Sequence, residues 1–499
     1  MKKYLSLILV VVFALMAFSC GDFFESVSGG KSFWALDYTK SPVQSYRVSA
    51  ELLASNELCE VWVEKGSGVS EQQAKSVANE YKNAVYVKMM KFFGWEVLEN
   101  GTRYNVMDIA DMMGDGNGKL NILLLDIKDG YKKGVNDSYV AGYFYAYNFF
   151  DVEESNVSDM IYMDTYPSSV GADEFYSTLA HEMQHLINFI TTAMFRSEVN
   201  ENNEIIDLFL MDTWIDEGLS AAAEWVYLGK PDESRIRWYN EDRTGFISKG
   251  DNFYVWDNYK ENPSAVLNEY ATVSMFFHWL RLQFGNDIYF NILTSLKSDY
   301  LAVEEAQEYT KWPGLLKMWH TANKINNTSS YEGYKNDSLL KDIKANYLSS
   351  NDKQWELYPG EAVYTYSLLG TSTPDLSGSI RYLGMSDTNV SGNIPAKGTL
   401  LTYNIDTRYN NADKNSGTAT PGTITGEKPP SKPVLNMNSS DNSRALSGAM
   451  GSNRIDAGDI IRRKGVAHSD SSRSVVTREA RPLPKISREN ITRYNASNE

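Results

Sequence analysis

Apolar side chains recur at steps of three and four through residues 172–190, at Phe175, Leu179, Met183, Leu186 and Ile190, with no Pro or Gly between them. That spacing predicts an amphipathic helix. Asp173 and Glu174 at its start suit the helix dipole, and Gly171 with the Pro167-Ser168-Ser169 turn precedes it. The same periodicity predicts helices over Ser70–Lys91, Trp214–Trp225, Ala271–Leu282 and Leu301–Asn326. Short apolar runs of strand length occupy Glu57–Val63, Asn121–Asp126 and Met160–Asp164, and three more follow at Val363–Ser367, Ser379–Tyr382 and Thr399–Tyr403. Strands and helices mix in the amino half, helices dominate around residues 170–326, and a small β-rich stretch follows: an α+β chain.

The first helix carries His181-Glu-Met-Gln-His185. Positions i and i+4 lie one above the other on a helix, so two imidazoles at that spacing can hold one metal ion. Glu182, between them, is placed to act as general base on metal-bound water. The chain has only 5 His, which makes a chance match rare. Of the others, His278 lies in Met275-Phe-Phe-His-Trp-Leu280, a core setting, and is not expected to be a ligand. A catalytic zinc takes a third protein ligand and leaves one position open. Trp214-Ile-Asp-Glu-Gly-Leu-Ser-Ala-Ala-Ala-Glu-Trp225 offers Glu217 or Glu224, two turns apart on one face. Gly218 would let this helix approach a neighbour closely.

These two segments together resemble the gluzincin metallopeptidases, and more narrowly the hyicolysin-like neutral peptidases. The resemblance covers roughly residues 59–300 and includes the less specific Tyr139-Val-Ala-Gly-Tyr143 and Asp159-Met-Ile-Tyr-Met-Asp164. It implies a zincin-like fold with a strand-containing amino lobe, a helical carboxyl lobe and the metal cleft between them. It also implies Zn2+ as cofactor, His181, His185 and Glu217 as its ligands, and a peptide or protein substrate. Glu224 then becomes a supporting residue or the alternative ligand. Asp216 stands where gluzincins usually have Asn, adding a negative charge that either weakens the match or partners a ligating His. Tyr270 is the candidate oxyanion donor, as a Tyr opening the next helix, although a structural Tyr at a helix start is the commoner reading of such a residue. Substrate backbone in such enzymes pairs with an edge strand, and Met160–Asp164 is the strand nearest upstream.

The amino terminus reads as a signal peptide: Lys2 and Lys3, then an apolar run from Tyr4 to Phe18 too short to span a membrane. Ser19-Cys20-Gly21 resembles a bacterial lipoprotein cleavage site of the looser spirochaete type, so Cys20 is expected to be lipidated and to hold the protein in the cell envelope. Plain secretion is the alternative. Cys59 is left as a lone Cys in a strand, expected to be buried, with no disulfide to make.

The formal charge is -16, with 48 basic and 64 acidic residues. From Glu427 to Glu499 there are 13 Lys or Arg against 8 Asp or Glu, so the first 426 residues carry -21. An acidic body argues against nucleic acid as a partner. The expected order is a signal peptide (1–19), a tether (20–45), a peptidase domain (46–337), a small β-rich region (338–409) and a disordered tail (410–499). Asp111-Met-Met-Gly-Asp-Gly-Asn-Gly-Lys119 resembles a calcium loop but has Met113 where EF-hand spacing needs an acid, so a Gly-rich turn is expected. The functional expectation is an exported zinc endopeptidase. The alternative is a surface-binding lipoprotein, an adhesin with an inactive or structural zinc site, whose binding would survive metal removal.

Overall fold

The computed structural model describes residues 30–326, except 137–138, 200–204, 243–244, 251–252 and 254–262. Beyond them it describes 333–335, 337–338, 340–343, 345–347, 355–357, 359–366, 379–385, 390–391, 399–405, 407, 422–424, 486 and 488–495. The signal segment and Cys20 lie outside these residues. Among the described residues, no helix is long and apolar enough to cross a membrane.

In chain order the first elements are β1 (Gly30–Asp37), β2 (Gln44–Ser55), β3 (Cys59–Glu64), α1 (Glu71–Glu80), a π-helical turn (Tyr81–Val85) and α2 (Tyr86–Phe93). Next come β4 (Trp95–Glu99), β5 (Thr102–Asn105), α3 (Val106–Met113), β6 (Leu120–Leu125), β7 (Gly142–Phe144) and β8 (Met160–Asp164). Six of the strands form one sheet in the order β1-β2-β3-β6-β8-β7. The β3–β6 and β6–β8 pairs are parallel and the others antiparallel. A register shift between Leu52 and Ala54 adds to the curl of the sheet. Ile122 and Leu124 of β6 enter the main core, and Leu123 and Leu125 enter a second core with Phe33, Trp62, Tyr143 and Tyr162. Burial on both faces is why β6 is a continuous apolar run rather than an alternating one.

The helical part holds α4 (Asp173–Phe195), β9 (Ser197–Val199), β10 (Ile205–Leu208), α5 (Thr213–Leu228), α6 (Glu233–Glu241) and α7 (Pro263–Phe284). It continues through α8 (Asp287–Leu293), α9 (Tyr300–Gln307) and α10 (Trp312–Ile325). Trp214 on α5 packs edge-on against Phe277 of α7 at 6.2 Å and tilted against Trp312 of α10 at 5.5 Å, which locks three helices behind the site. Such aromatic pairs add about 0.5–1.5 kcal/mol each beyond area burial. The fold is α+β, with a curled amino-terminal sheet and a helical region after it, consistent with a metalloprotease fold.

Several expectations change here. The stretch read as a tether includes β1, whose Phe33 and Ala35 are buried because the strand pairs along its whole length with β2. The stretch expected to be mainly helical over Leu301–Asn326 holds two helices, divided where Glu308 takes a left-handed φ of 52° and Pro313 opens α10. The later strands β11 (Trp355–Leu357), β12 (Ala362–Tyr366), β13 (Ile380–Met385), β14 (Val390–Ser391) and β15 (Thr399–Asn404) include a four-stranded sheet, β12-β15-β13-β14. It shares the main core through Tyr364, Leu383 and Leu401, and the Tyr364 hydroxyl donates to His320 O at 2.6 Å. Two pieces of the expected disordered tail are strands: β16 (Gly422–Ile424) pairs with β11 and β17 (Ile491–Arg493) with β4.

Candidate metal centre

α4 and α5 cross so that one face of each meets the other, and α7 closes the far side. The residues of α4 from Phe175 to Ala193 are all buried, including the polar face that the periodicity left open. Gly218 explains the close approach. A Cβ there would lie 2.2 Å from the ring of Phe277, so α5 and α7 meet at this position only with glycine.

His181, His185 and Glu217 bring one ligand atom each within 4.8 Å of the others. His181 Nε2 lies 3.3 Å and His185 Nε2 3.5 Å from Glu217 Oε2. Metal–ligand bonds of roughly 2.0–2.2 Å in a tetrahedron put neighbouring ligands roughly 3.3–3.5 Å apart, so these separations fit zinc. Both Nε2 atoms and both Glu217 oxygens are buried without a hydrogen bond of good geometry among the described residues. Orphaned groups of this kind cost about 1–3 kcal/mol each, a penalty that a bound cation removes. Two imidazole nitrogens and one carboxylate are a zinc donor set, and the residues fit the ion.

Behind the ligands stand further carboxylates. His181 Nδ1 is 2.8 Å from Glu224 Oε1, and His185 Nδ1 is 3.0 Å from Asp216 Oδ2. Each imidazole is thereby oriented to present Nε2 to the centre, the arrangement that raises ligand basicity in zinc sites. Asp216 is itself held by Asn188 Nδ2 at 2.5 Å. Glu224 takes Arg235 Nη2 at 2.5 Å and Nε at 3.2 Å. Arg235 is a largely buried cation that sequence reading missed, since a lone Arg in α6 carries no local signal.

Burial opposes charge on His181, but Glu217 and Glu224 outweigh it and raise its pKa. Burial likewise opposes charge on His185, and Asp216 and Glu217 carry it well above the ordinary value. Burial works against ionisation of Glu217, yet His185 and His181 hold it at about 2. Glu224 is buried too, and Arg235 and His181 hold it at about 2. This field attracts positive charge, and a divalent ion that displaces the imidazole protons meets it as well.

Glu182 is fully buried beside the ligands, with Oε2 accepting from Phe144 N–H of β7 at 2.9 Å. Its Oε1 makes no hydrogen bond among the described residues. Burial raises its pKa, the imidazole charges pull the other way, and Glu217 adds to the rise. Tyr270 lies two turns into α7 rather than at a helix start. Its hydroxyl faces Glu217, and its ring lies 5.2 Å from the Arg235 guanidinium. Met160–Asp164 forms β8, but β6 and β7 flank it, so its edges are paired and β7 is the edge strand beside Glu182. Gly142 permits that placement, since a Cβ there would lie 2.9 Å from Tyr162 O. His278 is not part of the cluster, and its Nε2 lies 3.7 Å from Asp337 Oδ2. His320 Nε2 lies 3.1 Å from Gly360 O, and Cys59 is fully buried.

No family model matches the chain. It is 32% identical over 272 residues to the neutral metalloprotease ShpI of Staphylococcus hyicus, a match that covers 53% of this chain and 54% of the relative. The chain thus spans about half the length of the curated relative it matches. The similarity is to a metalloprotease, and the His-His-Glu cluster is a donor set of the kind such an enzyme uses.

Proposed function

We propose that the protein is a zinc-dependent endopeptidase, with zinc held by His181, His185 and Glu217. The observation that carries this reading is the buried His-His-Glu cluster with an anchored Glu182 beside it. Bound zinc supplies Lewis acidity to the scissile carbonyl and acidifies a water. Glu182 Oε2 is fixed by Phe144, which leaves Oε1 to take the proton from the attacking water and pass it to the departing amine nitrogen. Burial keeps the Tyr270 phenol protonated well above neutral pH, so it serves as a hydrogen-bond donor to the oxyanion. Substrate backbone runs beside β7, the strand that reaches Glu182.

The site works outside the cytoplasm in this reading, held by lipidated Cys20 or secreted, on the strength of the charged and apolar amino-terminal segment. The similar protein's description as a neutral metalloprotease agrees with peptide or protein as substrate. The test is metal analysis coupled to a protease assay. One zinc per chain, activity lost on stripping and recovered with zinc, is the expected result. A fully zinc-loaded protein that cleaves no peptide bond in a broad panel of denatured proteins overturns it.

A further inference from the structure

Outside the metal centre, a second cluster gathers three carboxylates. Asp111, at the end of α3, Asp115, in the turn that follows, and Asp159, just before β8, bring one oxygen each within 4.8 Å of the others. Asp159 comes from 44 residues beyond Asp115, which is why the loop read from local spacing alone lacked a ligand. The turn is shaped around the cluster. Gly116 and Gly118 take φ of +67° and +79°. Gly118 N–H donates to Asp111 Oδ1 at 2.6 Å, and Asn117 N–H to Asp115 Oδ1 at 3.2 Å. Asn121 Nδ2 and Ser158 Oγ hold Asp115 Oδ2 at 3.1 and 3.3 Å. At Gly114 a Cβ would lie 2.5 Å from Asp159 N and 2.7 Å from Asp159 Oδ1, so only glycine lets Asp159 come this close.

A second observation points to a ligand. Asp159 is 1% exposed, and its Oδ1 makes no hydrogen bond among the described residues. A buried carboxylate oxygen facing two more carboxylates is repelled unless a proton or a cation sits among them, and a site open to three carboxylates at once suits the cation. Lys119, the basic residue in the turn, spends its ammonium on Ser55 Oγ at 2.8 Å.

We infer that Asp111, Asp115 and Asp159 form a calcium site. All-oxygen ligands select a hard cation. Three protein carboxylates in a glycine-shaped loop suit Ca2+, whereas Mg2+ is usually held by one or two carboxylates and keeps several waters. The ion would tie the turn entering β6 to the residue entering β8, which are adjacent parallel strands. β8 pairs with β7, whose Phe144 anchors Glu182, and it leads into α4. The site shares no residue with the His-His-Glu cluster, so it is a structural site that braces the frame of the metal centre.

The test is calorimetric titration of CaCl2 into zinc-saturated full-length protein, with melting temperatures measured in parallel. Wild type is expected to bind one Ca2+, to bind Mg2+ at least tenfold more weakly, and to melt several degrees higher when saturated. Asp159→Asn removes the buried charge while keeping the shape. It is expected to melt at or above wild type without Ca2+, to lose affinity at least tenfold and to gain nothing on Ca2+ addition. Asp115→Asn, at the half-buried position, is expected to lose affinity likewise, and it decides the matter if Asp159→Asn fails to fold. His185→Ala, which removes a ligand of the other centre, keeps Ca2+ binding. Absence of Ca2+ binding by wild type, an unchanged affinity in the Asp variants, equal affinity for Mg2+, or loss of binding in His185→Ala overturns the inference.

Discussion

Glu224 Oε1 sits 2.8 Å from His181 Nδ1 and at the same time takes the guanidinium of Arg235, so the orientation of one proposed ligand rests on a charge pair outside the His-His-Glu cluster. Partners of this kind typically matter 10–100-fold in metal affinity. Glu224→Gln keeps the size but gives up the charge. Its zinc affinity is expected to fall by about that factor, read by competition with a chromophoric chelator, while the fold persists. Affinity equal to wild type contradicts a positioning role for Glu224.

Tyr270→Phe removes one hydroxyl from a buried ring whose packing stays the same. Loss of a single oxyanion donor costs about 10²–10³ in kcat in other hydrolases. The expected outcome is a fall of about that size in kcat, with KM and zinc content near wild type. A change confined to KM, or none, removes Tyr270 from the chemistry.

Gly218→Ala is expected to be costly out of proportion to one methyl group. The added carbon would meet the Phe277 ring at 2.2 Å, and overpacking of this kind costs about 1–3 kcal/mol. Because Glu217 is the adjacent residue, zinc affinity should fall together with stability in denaturant titrations. A variant as stable as wild type contradicts the close approach of α5 and α7.

Burial raises the Asp164 carboxyl to about 7 from 3.8, against the hydrogen bonds from Ser168 N–H and Ile127 N–H. The folded state therefore holds this proton more tightly than the unfolded chain does. The stability it contributes is complete below about pH 4 and is lost as pH rises to about 7. Asp164→Asn is neutral throughout and should flatten the fall in stability between those values, by a few kcal/mol at most. The same pH slope in both proteins contradicts this.

Much of the site was legible because its signals are local. The helical spacing across residues 172–190 and the Trp214–Trp225 segment placed His181, Glu182, His185 and Glu217 on two helices, and Gly218 marked where the second comes close. What was not legible depends on packing between distant segments. Asp216 left two readings open in the sequence, a weaker match or a partner for a His of the cluster, and only the 3.0 Å approach to His185 favours the second. Arg235 and Asp159 gain their roles from partners on other elements. The edge strand was misread for the same reason. Met160–Asp164 has the longer apolar run because it is buried between neighbours, whereas the three-residue β7 is too short to declare itself. β1 was read as a tether because pairing with β2, not its own composition, makes it a strand.

In the proposed mechanism Glu182 moves protons for a zinc held by its neighbours. Glu182→Gln preserves an acceptor for Phe144 N–H and leaves His181, His185 and Glu217 untouched. The direct measurement is the proteolytic rate of this variant at a verified content of one zinc per chain. A loss of at least 10²–10⁴-fold with full zinc occupancy is expected from removing a general base. Cleavage at the wild-type rate by the fully loaded variant contradicts the mechanism.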